Sequence, residues 1–202
     1  MSLMKIGVKK RIVTSIFSGL MMSSPLCFGA EFKIAAAHSN IGFVTRHLVS
    51  KITGQFNDFD GEFSFDAKKP TESKVSATVK VASINTNNQK RDGHLQSEDF
   101  FAVEKFPVMT FVSKKVTSAG KDKYKMLGDL TMHGVTHPVT FHVEYLGEAP
   151  GMDGKPRVGF TANAKVNRKE FGISWNKTLD NGGLVLSDEV EINLNIEAAP
   201  KM

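Results

Sequence analysis

Arg91, Asp92 and His94 fall within a single turn's length of chain. They head the run Arg91-Asp92-Gly93-His94-Leu95-Gln96-Ser97-Glu98-Asp99-Phe100-Phe101, which adds a wide apolar tip to the charges and the imidazole. Such a set permits two chemistries. Arg91, Asp92 and His94 can act as polar contacts for the head group of a ligand at the mouth of a binding site. Alternatively, with Asp99 and nearby backbone, they form a hydrogen-bonded network that pins a short helical segment to the rest of the fold, since a buried charge has to be paired. The network ranks first. For catalysis, the Asp92/His94 couple is the titratable pair that an enzyme would use.

The other reactive residues point to no catalytic or metal site. His133 and His137 are four apart, but Gly134 and Pro138 make that stretch a turn rather than one helix face, and spacing suggests no third zinc ligand. His142 falls on the polar face of an alternating segment, and His38 and His47 lie on separate stretches. Asn57-Asp58-Phe59-Asp60-Gly61 suits a turn or bulge built on Asx hydrogen bonds better than a carboxylate pair for glycoside cleavage. There is no Ser in a nucleophile elbow, no Gly-rich phosphate loop before a helix and no HExxH.

The elements that must position these residues read as strands. Val75, Ala77, Val79 and Val81 alternate with Ser76, Thr78 and Lys80, and side chains two apart share a strand face. The same alternation sets Val139, Phe141, Val143 and Tyr145, then Val158, Phe160, Ala162, Ala164 and Val166, then Val190, Ile192, Leu194 and Ile196, on one side of their segments. Weaker signals at 32–38, 41–48, 54–65, 106–117 and 123–132 bring the total to eight or nine strands. Met132-His133-Gly134-Val135 predicts a tight hairpin, with Gly134 free to take a positive φ and Pro138 placed near a strand start or edge. Longer connections are expected at 68–72 and at 147–156, and one or two helical turns at 88–101. Physically, this pattern fits a sandwich or a barrel equally well.

Residues 1–30 carry Lys5, Lys9, Lys10 and Arg11, an apolar run from Ile12 to Leu26, and then Cys27-Phe28-Gly29-Ala30. This is the pattern of a secretory leader cut after residue 29 or 30, and it predicts a soluble periplasmic or secreted product. Of 26 basic and 21 acidic residues, the leader takes four basic ones, so 22 remain against 21. The basic balance is thus no argument for a nucleic-acid partner. The single cysteine, Cys27, leaves with the leader, so no disulfide is expected in the single domain at 31–202.

The Arg91–Phe101 run resembles the signature of the YceI-like family of periplasmic polyisoprenoid-binding proteins. Further blocks carry the resemblance: His38-Ser39-Asn40-Ile41-Gly42-Phe43 with Arg46-His47-Leu48, Gly54 to Gly61, Ser83-Ile84-Asn85-Thr86, Phe106-Pro107, Gly128 to Val139, and Asn167-Arg168-Lys169-Glu170-Phe171-Gly172-Ile173. One small departure is Ala102, where the family often has an acidic residue.

The resemblance implies an all-β fold: an eight-stranded, extended, antiparallel, lipocalin-like barrel around an apolar channel, with the short helical segment at 88–101. It implies a protein that binds, stores or transports a long-chain apolar lipid of isoprenoid, quinone or polyprenyl type, without catalysis and with no cofactor beyond that ligand. The expected channel residues are Phe43, Phe59, Phe63, Phe65, Leu95, Phe101, Phe106, Phe111, Phe141, Phe160, Phe171 and Trp175. Partners would be the lipid, a membrane or membrane protein touched transiently during exchange, and in one version a second copy as a homodimer. A stress-related interaction module with a filled barrel is the alternative, and a lipid-modifying enzyme the second.

Overall fold

The computed structural model describes residues 30–178 and 184–201. The leader expected before Ala30, with Cys27, lies outside the described residues. Eleven strands form one antiparallel sheet: β1 (Ala30–Ile34), β2 (Asn40–His47), β3 (Ser50–Phe56), β4 (Phe59–Phe65), β5 (Lys74–Lys80), β6 (Ile84–Asn85), β7 (Val108–Gly120), β8 (Lys123–Met132), β9 (Val135–Pro150), β10 (Pro156–Asn167) and β11 (Leu186–Pro200). The one α-helix among the described residues, α1 (Gln89–Gln96), follows β6.

Eight of the strands close into a barrel in the order β1-β4-β5-β7-β8-β9-β10-β11, and the ring shuts because β11 pairs back onto β1. The length of β11 makes this possible. Its last residues pair with β1 (Ala198↔Ile34), while Leu186 to Asn195 pair along the same edge with β2 (Asn195↔Asn40), from which β3 and β6 extend the sheet. The barrel therefore replaces the sandwich as the solution to the alternating pattern, and closure gives each of the eight strands of the ring a partner on both sides over part of its length.

Each alternating segment turns its apolar set inward, as in β10, where Val158, Ala162, Ala164 and Val166 are buried. The β8–β9 hairpin forms at the expected residues. Met132 pairs with Val135, and His133 and Gly134 take φ of 52° and 75°, the two positive values that a two-residue type I′ loop requires. Pro138 is tolerated beside it because the ladder from β10 reaches β9 only as far as His142, so no strand on that side needs its missing N–H.

Three expectations need correction. The stretch 54–65 is not one strand but the end of β3 and the whole of β4, broken at Asn57-Asp58, which with the short β6 raises the count above nine. The connection at 147–156 is also shorter than expected. β9 and β10 stay paired out to Pro150↔Pro156, and a bulge between Gly159 and Phe160 absorbs the irregular residues. In addition, 32–38 is strand only to Ile34 and then a 3-10 turn at Ala36–His38.

Candidate functional site

The barrel encloses a cavity of about 270 Å³ whose wall is almost entirely carbon. It runs along the barrel axis: on β11 alone, Leu186, Val190, Ile192, Leu194 and Ile196 all face it, and those ten residue steps span about 33 Å of strand. An apolar cavity of even ~150 Å³ stays dry and admits a small hydrocarbon. Water gains nothing here.

Aromatic clusters close both ends. Away from α1, Phe32 stacks on Phe63 at 5.5 Å, and Phe65 meets Tyr145 at 4.9 Å and Phe160 at 5.1 Å. At the α1 end, Phe56 contacts Phe43 at 5.7 Å and Phe101 at 6.0 Å, and Phe100 lies 5.1 Å from Trp175. Phe43 can lie flat across β3 because its partner there is Gly54, where a Cβ would come within 2.3 Å of the ring.

Of the twelve residues expected on the channel, Phe43, Phe63, Phe65, Leu95, Phe101, Phe111, Phe141 and Phe160 face the cavity. The other four do not. Phe59 is buried in the core outside the wall, Phe106 lies against His133 with ring centres 4.7 Å apart, Phe171 packs under His137 at 5.2 Å, and Trp175 covers His94 at 5.0 Å. Wall residues outside that set of twelve include Phe56, Phe100 and a majority of aliphatic and thioether side chains, among them Ile34, Ile41, Met109, Met126, Leu130 and Met132.

Arg91, Asp92 and His94 are not part of the wall, and their hydrogen bonds are local. Arg91 donates from Nε to Thr86 Oγ1 and from Nη2 to the Thr86 carbonyl, each at 2.7 Å, while Asp92 Oδ1 accepts from the Thr86 N–H at 2.9 Å and from its hydroxyl. His94 Nε2 pairs with Asp99 Oδ2 at 2.8 Å, with its ring edge-on to Phe100 and Trp175. Asp92 and His94 thus have separate partners instead of forming a couple. These bonds tie α1 to the Thr86 backbone, and the three side chains are half-exposed rather than fully buried. Asn88 caps the helix by accepting from the Arg91 N–H at 3.0 Å. Leu95, Phe100 and Phe101 then point into the barrel.

Thr86 is the hub of this network and is itself buried, at 5% exposure. Thr86→Val keeps the shape and removes the oxygen shared by Arg91 and Asp92. The expected cost is about 1–3 kcal/mol, read as a lower urea midpoint at unchanged slope, with no change in whatever the cavity retains.

Sequence reasoning also missed Arg168. It sits in a 3-10 turn (Arg168–Phe171) after β10, is 4% exposed, and borders the cavity at the α1 end. Its Nε donates to the Ser187 carbonyl at 2.9 Å, Nη1 to the carbonyls of Ile173 and Trp175 at 2.8 Å each, and Nη2 to Asp188 Oδ1 at 3.2 Å. Burial draws its pKa below the usual guanidinium value, and Asp188 opposes the shift. At the other end, Ser73 borders the cavity with a buried hydroxyl that has no partner among the described residues.

Among the described residues no three His, Cys, Asp or Glu gather, and His133 and His137 bond the carbonyls of Phe171 and Glu170 at 3.1 and 3.0 Å. Asp58 and Asp60 pair with Lys80 at 2.8 Å and Lys33 at 3.2 Å.

Comparison with known proteins places residues 32–198 in the YceI-like domain. Protein YceI of Escherichia coli is 38% identical over 193 residues, covering 94% of this chain and 97% of that one. The crystal structure of the Campylobacter jejuni YceI protein superposes with a TM-score of 0.66 at 38% identity, over 78% of this chain and 90% of the other. A polyisoprenoid binding domain from Saccharophagus degradans shares the fold, with a TM-score of 0.59 at 14% identity, over 84% and 98% of the two chains.

Proposed function

The chain belongs to the YceI-like family, and from that premise we propose that it holds a long apolar lipid of isoprenoid, quinone or polyprenyl type in its barrel, as a carrier or reservoir without catalysis. The observation that carries this reading is the elongated cavity with an almost purely carbon wall. Such a wall offers no group to activate a substrate, but it rewards every methylene it removes from water. Each buried CH₂ is worth about 0.8 kcal/mol, so a tail of ~20 carbons returns roughly 16 kcal/mol against an association cost of about 4–15 kcal/mol. The name of the Saccharophagus domain, which describes polyisoprenoid binding, is in keeping with that ligand class.

Aromatic rings gather at both ends, around Phe63, Phe65 and Phe160 at the far end and around Phe56, Phe100 and Phe101 at the α1 end. What distinguishes the α1 end is the guanidinium of Arg168 on the cavity wall, so this reading sets the head group there and the tail toward the far end. Arg91, Asp92 and His94 then act on the ligand only by holding Leu95, Phe100 and Phe101 in place. The basic, apolar and small-residue pattern of residues 1–30 supports export to the periplasm.

The test is mass spectrometry of the exported protein, both intact and after organic extraction. We expect a chain beginning at Ala30 or Glu31 and about one apolar molecule per chain, because an empty cavity of this kind leaves its lining without contacts. An extract with no such molecule, from protein that also fails to take up an added isoprenoid, would refute the carrier reading and leave the interaction module with a filled barrel.

A further inference from the structure

We propose that the β2–β3 hairpin tip is a membrane-docking element that seats the barrel on an anionic lipid surface with its α1 end facing the bilayer. The proposal rests on the carrier reading and gives it a place of exchange. The loop is two residues long, Leu48-Val49, between the paired His47 and Ser50. Leu48 takes a φ of 52° at a position where hairpins normally place Gly or Asn, so an aliphatic residue is kept there against the local steric preference. Val49 is 94% exposed and Leu48 41%, and Leu184, 47% exposed, joins them through the adjoining segment, where the Leu48 N–H donates to the Val185 carbonyl at 2.9 Å. Nothing in the folding of the barrel calls for three aliphatic side chains in water at one corner.

Charge completes the pattern. Arg46 and Lys51 are directly opposed across the hairpin on its exposed face, a like-charge pairing that costs stability. Elsewhere Lys33, Lys80, Lys105 and Lys165 each have a carboxylate, whereas neither Arg46 nor Lys51 has one among the described residues. Arg46 uses its Nε to hold the Leu48 carbonyl at 3.0 Å, and exposed Lys177 lies on the neighbouring segment, whose carbonyl accepts from the Val185 N–H at 3.0 Å. Apolar side chains projecting between uncompensated cations match the boundary between acyl chains and anionic head groups. The tip also stands at the right place: Thr45 and Leu186 border the cavity, and Leu186 pairs with His47, so Leu48 lies one residue, about 3 Å of strand, beyond the wall.

Flotation of the purified protein with vesicles of phosphatidylcholine alone, or of phosphatidylcholine with phosphatidylglycerol, tests the assignment. Binding is expected to the anionic vesicles and to weaken with salt. Val49→Asp should abolish it. Arg46→Glu with Lys51→Glu should weaken it roughly 25-fold or more, at about fivefold, or about 1 kcal/mol, per cation removed. Both variants alter exposed side chains, so each should melt like the parent and retain the same extracted lipid, which separates docking from folding and from ligand binding. Parent protein that carries lipid yet ignores anionic vesicles, or variants that float as well as the parent, would overturn the docking site while leaving the carrier standing. Tip-dependent binding to a purified protein in place of lipid vesicles would overturn it too. Vesicle binding by a protein that carries no lipid would remove the carrier reading and leave the docking surface.

Discussion

Arg168→Met is expected to cost about 3–5 kcal/mol of stability, because it leaves three backbone carbonyls without their donor and takes one of two cations from Asp188, which keeps Lys169 at 2.8 Å. For a domain of this size that is a fall in melting temperature of roughly 6–20 °C, out of a total stability of about 5–15 kcal/mol. Lysine in the same place keeps the charge but lacks the planar fork that reaches Ser187, Ile173 and Trp175 together, so Arg168→Lys should fall between the variant and the parent. The guanidinium ties the segment after β10 to the start of β11, and that junction forms the wall beneath α1. Lipid retention should therefore fall with stability in Arg168→Met. Chemical denaturation and extraction on the same samples check both, and a loss below about 1 kcal/mol would show that the carbonyls find water instead.

Arg168 also marks where the sequence stops being readable. In Asn167-Arg168-Lys169-Glu170 it looks like any surface cation. Its burial depends on carbonyls from Ile173, Trp175 and Ser187, and no local pattern announces that these converge. Strand faces were legible for the opposite reason. Period-two alternation is local, and it placed Phe141, Phe160, Ala162 and Ile192 inward correctly. The hairpin at His133-Gly134 was legible through turn chemistry that two residues carry by themselves. Closure into a barrel was not, because it rests on β11 meeting β1 from the far end of the chain, and only family resemblance suggested it.

Aromatic identity proved a poor guide to the wall itself. Phe59, Phe106, Phe171 and Trp175 are ordinary core or cap residues near α1, since a phenyl ring fills a plug as readily as a channel. Half of the wall residues are Val, Ile, Leu or Met, which a count of phenylalanines overlooks. The Arg91–Phe101 run was informative in a similarly divided way. Its spacing gave the helix and the inward Leu95 and Phe100-Phe101, while the partner that organises its charges, Thr86, lay just upstream in a block noted only for its resemblance.

Ala162→Trp should all but eliminate bound lipid while leaving a folded barrel. Ala162 lies midway along β10, between Val143 on one neighbour and Leu194 on the other, and all three face the cavity. In a filled core an added indole would cost about 1–3 kcal/mol or more through overpacking. Here it has the empty bore to enter, where it gains the contacts the lining lacks, so the lipid-free variant should melt no lower than lipid-free parent protein. The tail must run past this point to use the full length of wall, and an indole across the bore halves the apolar area it can bury. Thr161→Lys, one residue earlier and facing the other side, should change neither property. Extraction yield and thermal melts, both with the parent as control, decide the matter: full lipid content in Ala162→Trp would mean that the ligand does not occupy the bore, whereas a collapsed melting temperature would mean that the bore is packed shut in solution.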